Sequence, residues 1–133
     1  MIVPDTSVWV AVLRAQTAAS AQARTLRSLL DADEVALAVP VQVELIAGSP
    51  AKDRRALVRG LSGLPLMYPT DETWKMLRGW VQQAADAGFC FSVSDLLIAA
   101  LANEAGALVW SLDKDFARME ELDLVRLYQP PAE

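Results

Sequence analysis

The sequence predicts an α/β fold in three layers, with a central, mostly parallel sheet and helices on both faces. Short apolar runs alternate with amphipathic stretches along the chain. Proline, glycine and hydroxyl residues fall at the boundaries between them. Strands that alternate with helices imply right-handed crossovers, which place the helices on both faces of a parallel sheet. The 133 residues, 53% hydrophobic and 22% charged, suit one globular domain over 1–133, with no linker, repeat or low-complexity segment.

Met1 to Pro4 reads as a short strand and Thr6 to Arg14 as a helix. That helix is apolar nearly all round (Val8, Trp9, Val10, Val12, Leu13) and should be buried on more than one side. A second helix over 18–33 presents Ala23, Leu26, Leu29 and Leu30 on one face, and Glu34 to Val39 follows as a strand. Pro40 opens the next helix, since proline in a first turn forfeits no hydrogen bond; it carries Glu44 and stops at Gly48. Ser49 as N-cap and Pro50 at the first helical position start a basic helix to about 62. Leu64 to Tyr68 is a strand. Thr70 caps a long helix to Ala87, with Trp74, Leu77, Val81 and Ala84 inward, Met76 and Trp80 on another face, and Gly88 as the stop. Met76 and Trp80 would either complete the core or bury at an interface. Ser92 caps a helix through Asp95 to Asn103 or Glu104. Leu108 to Ser111 is a strand, Asp115 to Glu120 a short helix, and Leu124 to Tyr128 a last strand.

The composition excludes several chemistries. No histidine is present, which removes imidazole acid/base catalysis, the His-dependent nucleophile activation of Ser-His-Asp and Cys-His sites, and His-rich zinc sites. The single cysteine, Cys90, cannot form an internal disulfide, and between Phe89 and Phe91 it reads as a buried, inert thiol. No apolar run approaches the roughly 20 residues of a membrane span. The N-terminus lacks a basic region ahead of its apolar residues, so the expected compartment is the cytoplasm. The net charge of −5 argues, taken alone, against a protein that coats nucleic acid.

The acids matter more individually. In a parallel sheet the ligand crevice lies beyond the carboxyl ends of the strands. Asp5 follows the first strand, Glu44 lies in the helix after the second, Asp95 begins a late helix, and Asp113 follows the Val109 to Ser111 run. Each has a plain structural role open to it: helix cap, solvated helix face, capping-box acid, turn residue. Glu44 and Asp95, however, have mainly apolar sequence neighbours and no lysine or arginine within three residues. Converging carboxylates repel by about 1 kcal/mol per pair in water and roughly 4 at an effective dielectric of 20. A divalent cation is the economical compensation. All-oxygen ligation selects Mg²⁺, with Mn²⁺ able to substitute, and a carboxylate-bound Mg²⁺ with its waters is suited to phosphodiester hydrolysis. The hydroxyls of Thr6, Ser7 and Ser111 are placed to support the carboxylates.

DTSVWV at the N-terminus, VELIAG around Glu44, SDLLIAALA around Asp95 and SLDKDF around Asp113 resemble the four motifs of the PIN domain. Together, in order along the whole chain, they resemble the VapC toxins of bacterial type II toxin-antitoxin pairs. The resemblance implies a PIN-like fold and a Mg²⁺-dependent ribonuclease. It implies Asp5, Glu44, Asp95 and Asp113 as metal-binding and catalytic residues, with Asp115 as a further metal ligand. It also implies a homodimer and a cognate VapB antitoxin whose tail fills the acidic groove. Ser111 stands where threonine is commoner and keeps the hydroxyl.

Phosphates would need positive surface. Lys52, Arg54, Arg55 and Arg59 against Asp53 give residues 50–62 a local charge of +3, and Arg14, Arg24 and Arg27 give 6–30 another +3. Both segments are equally readable as ordinary solvated helix faces. Trp9 and Trp110 flank site acids, although core packing is the better reading of all four tryptophans. Two other functions compete with the nuclease. One is a catalytically silent PIN-like module that binds RNA or protein. The other is a phosphotransferase using Asp5 as covalent nucleophile, which usually wants an aspartate where Ser7 stands. With the four acids set aside, the net charge of −5 shrinks to −1, so most of the imbalance belongs to one edge.

Overall fold

The computed structural model describes residues 1–14 and 20–132. In chain order the elements are β1 (Ile2–Pro4), α1 (Thr6–Arg14), α2 (Ala21–Asp31), β2 (Leu37–Ala38), α3 (Val39–Gly48), α4 (Ala51–Leu61), β3 (Leu66–Met67), α5 (Asp71–Asp86), α6 (Val93–Glu104), β4 (Leu108–Trp110) and α7 (Lys114–Glu121). Every strand pairing is parallel: β1 with β4 in the register Val3 to Val109, and β2 with β3 in the register Leu37 to Leu66. Bridges from Ile2 to Val35 and from Val109 to Leu127 join these pairs, giving the order β3-β2-β1-β4 with the 126–128 segment beyond β4. The chain moves from β1 to β2 in one direction and from β3 back past β1 to β4 in the other. Right-handed crossovers therefore put α1–α2 and α5–α6 on opposite faces.

Several expected strands are shorter in the structure. The 34–39 run gives a two-residue β2 because α3 already begins at Val39, with Pro40 in its first turn. The 64–68 run shrinks to Leu66–Met67 because the Leu64 N–H turns back to the Leu61 carbonyl. The 124–128 run keeps only its bridge at Leu127, since the Leu124 N–H closes α7 on the Met119 carbonyl. The start of the second helix at 18 lies outside the described residues; α2 begins at Ala21 behind the N-cap Ser20. Ser49 does not open α4. Its hydroxyl donates to the Ile46 carbonyl at 3.0 Å, closing α3, and Pro50 is the N-cap position of α4.

The core centres on α6, whose residues Leu96 to Ala102 are all buried, as an all-apolar helix requires. Trp9, Trp110 and Phe116 pack in the same cluster, so neither Trp9 nor Trp110 offers a ring to a base. On α5 the expected inner face is corrected: Trp74 and Val81 are 43% and 54% exposed. The inward stripe is instead Thr73, Leu77 and Ala84, flanked by half-buried Met76 and Trp80, which complete the core. That stripe starts one residue earlier because Thr70 and Thr73 form a reciprocal capping box that turns Thr73 inward. Cys90 is exposed rather than buried. Phe89 and Phe91 stack at 5.7 Å on one side of this extended segment, so the residue between them points away. Left-handed residues end α5 and α6 at Gly88 and Gly106, and Asp33 and Asp123 adopt the same geometry after α2 and α7. No helix among the described residues is long and apolar enough to cross a membrane.

Candidate metal centre

The carboxyl end of β1 is pinned to that of β4 by the Asp5 N–H, which donates to the Trp110 carbonyl at 2.9 Å. Position 5 thereby lies beside 111–113, and the side chains complete the join. Ser7 Oγ donates to Asp5 Oδ1 at 2.5 Å, and Ser111 Oγ donates to Asp5 Oδ2 at 2.6 Å. Each serine also accepts from the following loop: Ser7 Oγ from the Leu112 N–H at 3.0 Å, and Ser111 Oγ from the Asp113 N–H at 2.9 Å. Asp113 then caps α7, its Oδ1 accepting from the Asp115 N–H at 2.9 Å.

Glu44 arrives from α3 on the other side. It is exposed, with Val41 and Leu45 turned into the core, so the apolar surroundings expected from its sequence neighbours do not enclose it. On a helix, neighbours in sequence point in different directions. Its Oε1 accepts from Thr6 Oγ1 at 3.2 Å and from Ser94 Oγ at 2.7 Å, which ties it to the residues next to Asp5 and Asp95. Asp95 stands half-buried in the first turn of α6, its N–H donating to the N-cap Ser92 Oγ at 3.1 Å.

The tightest group is Asp95, Asp113 and Asp115, each offering a carboxylate oxygen within 4.8 Å of the others. Asp5 and Glu44 flank that trio. The donors are hard oxygens, as Mg²⁺ or Mn²⁺ prefers, and one cation with bonds of roughly 2.1 Å can draw such a trio together. The residues present therefore fit a divalent ion, with Asp95, Asp113 and Asp115 as the nearest ligands.

Crowding shows in the acidities. Burial pushes the Asp5 carboxyl above the usual range; hydrogen bonds from Ser111, Ser7 and Val8 oppose this, and the charge of Asp113 adds to it. Asp95 is pushed up to about 6, first by burial and further by Asp113, Asp5 and Glu44, with Ser92 acting in the opposite sense. Asp95 thus feels the charge of the other three acids picked out in the sequence, and Asp5 that of Asp113. A carboxyl raised from 3.8 in the unfolded chain to about 6 contributes stability that is full below the lower value and lost as pH rises through the upper one. The metal-free protein should therefore melt at a higher temperature near pH 5 than near pH 7.5. Thermal unfolding in a chelator checks this, and Asp95→Asn should flatten the dependence; an unchanged slope in the variant contradicts it.

Two contributors were not singled out from the sequence. Ser94 gave no signal beyond its place beside Asp95. Arg118, whose Nη1 donates to Asp115 Oδ1 at 3.0 Å, was legible as an (i, i+3) partner of an acid on one helix. Lys52, Arg54, Arg55 and Arg59 are exposed on α4, with Arg54 Nε donating to the Ser49 carbonyl at 3.1 Å. A groove of about 420 Å³ between α1, α3 and α4 runs from Glu44 past Leu45, Pro50 and Leu57 to Arg14, and α4 lines it with Asp53 and Leu57 rather than with these four cations. Arg24 lines a separate hollow with Leu29 and Tyr128, so the cations of the two basic segments do not gather along one groove among the described residues.

Residues 2–122 match the PIN domain family. A VapC ribonuclease of Mycobacterium bovis and Ribonuclease VapC11 of Mycobacterium tuberculosis are each 34% identical to this chain over 120 residues, 87% of this chain and 89% of theirs. Among solved structures, the VapBC2 complex of Rickettsia felis bound to a fragment of its promoter DNA contains a chain that superposes with a TM-score of 0.76. That superposition covers 96% of this chain and 98% of the other at 17% identity.

Proposed function

Because this chain belongs to the PIN domain family, and within it to the VapC ribonucleases, we propose that it is a Mg²⁺-dependent endoribonuclease, the toxin of a type II toxin-antitoxin pair. The observation that carries the reading is the Asp95, Asp113, Asp115 trio, flanked by Asp5 and Glu44 at the carboxyl edge of a parallel sheet. In this reading Asp5, Glu44, Asp95 and Asp113 form the catalytic centre, with Asp115 completing the metal ligands.

When bound, the ion would lower the pKa of a coordinated water and offset charge on the phosphate. The protein supplies the rest. Asp95 and Asp113 would hold the ion and orient the water for in-line attack. Asp5 and Glu44 would accept hydrogen bonds from waters around it. Ser7, Ser111, Thr6 and Ser94 fix those two acids, so that little reorganisation is needed when substrate arrives. The buried Asp5, 4% exposed and with both oxygens already accepting hydroxyl hydrogen bonds, is poorly presented as a covalent nucleophile. That weighs against the phosphotransferase.

We read residues 1–133 as one domain acting in the cytoplasm on RNA, as a homodimer held in check by a VapB-like antitoxin. Such an antitoxin would bring positive charge to the acidic edge. Lys52, Arg54, Arg55 and Arg59 are assigned to phosphates of the RNA flanking the cut. The test is cleavage of end-labelled tRNA and rRNA by the purified chain. Cutting should be absent in chelator, restored by Mg²⁺ and supported by Mn²⁺. Metal binding without any cutting would favour the silent module, and cutting in chelator would remove the metal from the chemistry.

A further inference from the structure

The acidic trio carries a guanidinium. Arg118 lies one turn beyond Asp115 on α7, its Nη1 3.0 Å from Asp115 Oδ1, and its Cζ stands 5.7 Å from the centroid of the Phe89 ring. Phe89 belongs to the segment that leads into α6. The cation is therefore held between the two elements that deliver Asp113 and Asp115 on one side and Asp95 on the other. An exposed (i, i+3) pair made for helix stability needs only the first of these contacts. The second adds an aromatic face that orients the guanidinium plane.

Charge and donor geometry indicate what that arrangement serves. Three carboxylates with one divalent cation leave the edge negative, and an incoming phosphodiester brings a further negative charge. Arg118 is the cation that the structure pairs with this trio among the described residues. A guanidinium has five N–H donors in a planar fork that matches phosphate oxygens. One of them is given to Asp115, and the side chain is 49% exposed, so the guanidinium stays accessible beside the trio.

We propose that Arg118 is a substrate-binding residue of this nuclease. It takes a non-bridging oxygen of an RNA phosphate at the metal centre, while Asp115 and Phe89 hold it in position. The proposal rests on the nuclease reading above and assigns a residue that reading does not need.

The test uses the full chain, a fluorescent single-stranded RNA of mixed sequence with Ca²⁺ in place of Mg²⁺, and separate titrations with Mn²⁺ alone. Arg118→Gln should weaken RNA binding by about tenfold, the scale of one charge-assisted contact. It should also lower the slope of log affinity against log salt by about 0.7, the value for one phosphate contact on a single strand. Mn²⁺ affinity should be unchanged or higher, because a competing cation has left Asp115. Arg118→Lys should recover part of the RNA affinity. Unaltered RNA affinity and salt slope in Arg118→Gln would overturn the proposal and leave the nuclease reading standing. Loss of Mn²⁺ affinity with an unchanged salt slope would also overturn it, reducing Arg118 to a support for Asp115. A wild-type chain that binds no Mn²⁺ would instead remove the nuclease reading, while the salt slope would still report on Arg118.

Discussion

Asparagine in place of Asp95 is expected to cut Mg²⁺-dependent RNA cleavage by on the order of 10³-fold while the protein stays folded. The substitution keeps the shape of the side chain and removes its negative charge. The Ser92 cap survives, because that bond uses the Asp95 backbone N–H. What is lost is the proposed metal-binding carboxylate in the group with Asp113 and Asp115. Metal catalysis supplies several kcal/mol of transition-state stabilisation, and about 4 kcal/mol corresponds to that rate loss. Stability should move the other way. In the metal-free protein Asp95 is charged against burial and against Asp113, Asp5 and Glu44, so the neutral amide relieves a cost. Single-turnover cleavage with thermal unfolding in chelator separates the two effects. A variant that cuts within tenfold of wild type would take Asp95 out of the metal centre, and one that melts well below wild type would make the loss a folding defect.

The largest expected effect on stability is at Phe116. Its ring is fully buried and anchors α7, which is only eight residues long and would not persist alone. Phe116→Ala removes that anchor and should cost about 3–5 kcal/mol, equivalent to a fall in melting temperature on the order of 10 °C or more. α7 also carries Asp115 and is capped by Asp113, so Mn²⁺ affinity should fall in the same variant even below its melting transition. Circular dichroism melts and Mn²⁺ titration at low temperature check both parts. Lys114→Ala, at an exposed position of the same helix, should leave the melting temperature nearly unchanged. A Phe116→Ala protein with wild-type Mn²⁺ affinity would show that the acids are placed independently of the core.

The α/β alternation, the parallel pairing and most helix boundaries were legible because caps and breakers are local signals. Thr70, Ser92 and Gly88 act where the sequence suggests. Strand lengths were not, since the ends of β2 and β3 are set by neighbouring turns that claim the N–H groups. The face of α5 was misjudged because Trp74 and Val81 are as apolar as the residues that do turn inward. The four acids could be placed at one edge from topology. Which three come closest could not, because that depends on the turn from Ser111 through the cap of α7. Arg118 and Ser94 escaped for a related reason: their importance lies in what other segments bring beside them.

The two serine hydroxyls that join Asp5 to the 111–113 loop link positions separated by nearly the whole chain. The proposed metal centre therefore cannot assemble until residues 111–113 have been made. A ribosome making this protein releases Asp5, Glu44 and Asp95 before Asp113, so the growing chain up to that point lacks one of the proposed ligands. The order of residues along the gene therefore withholds the proposed centre until the last of its acids has emerged.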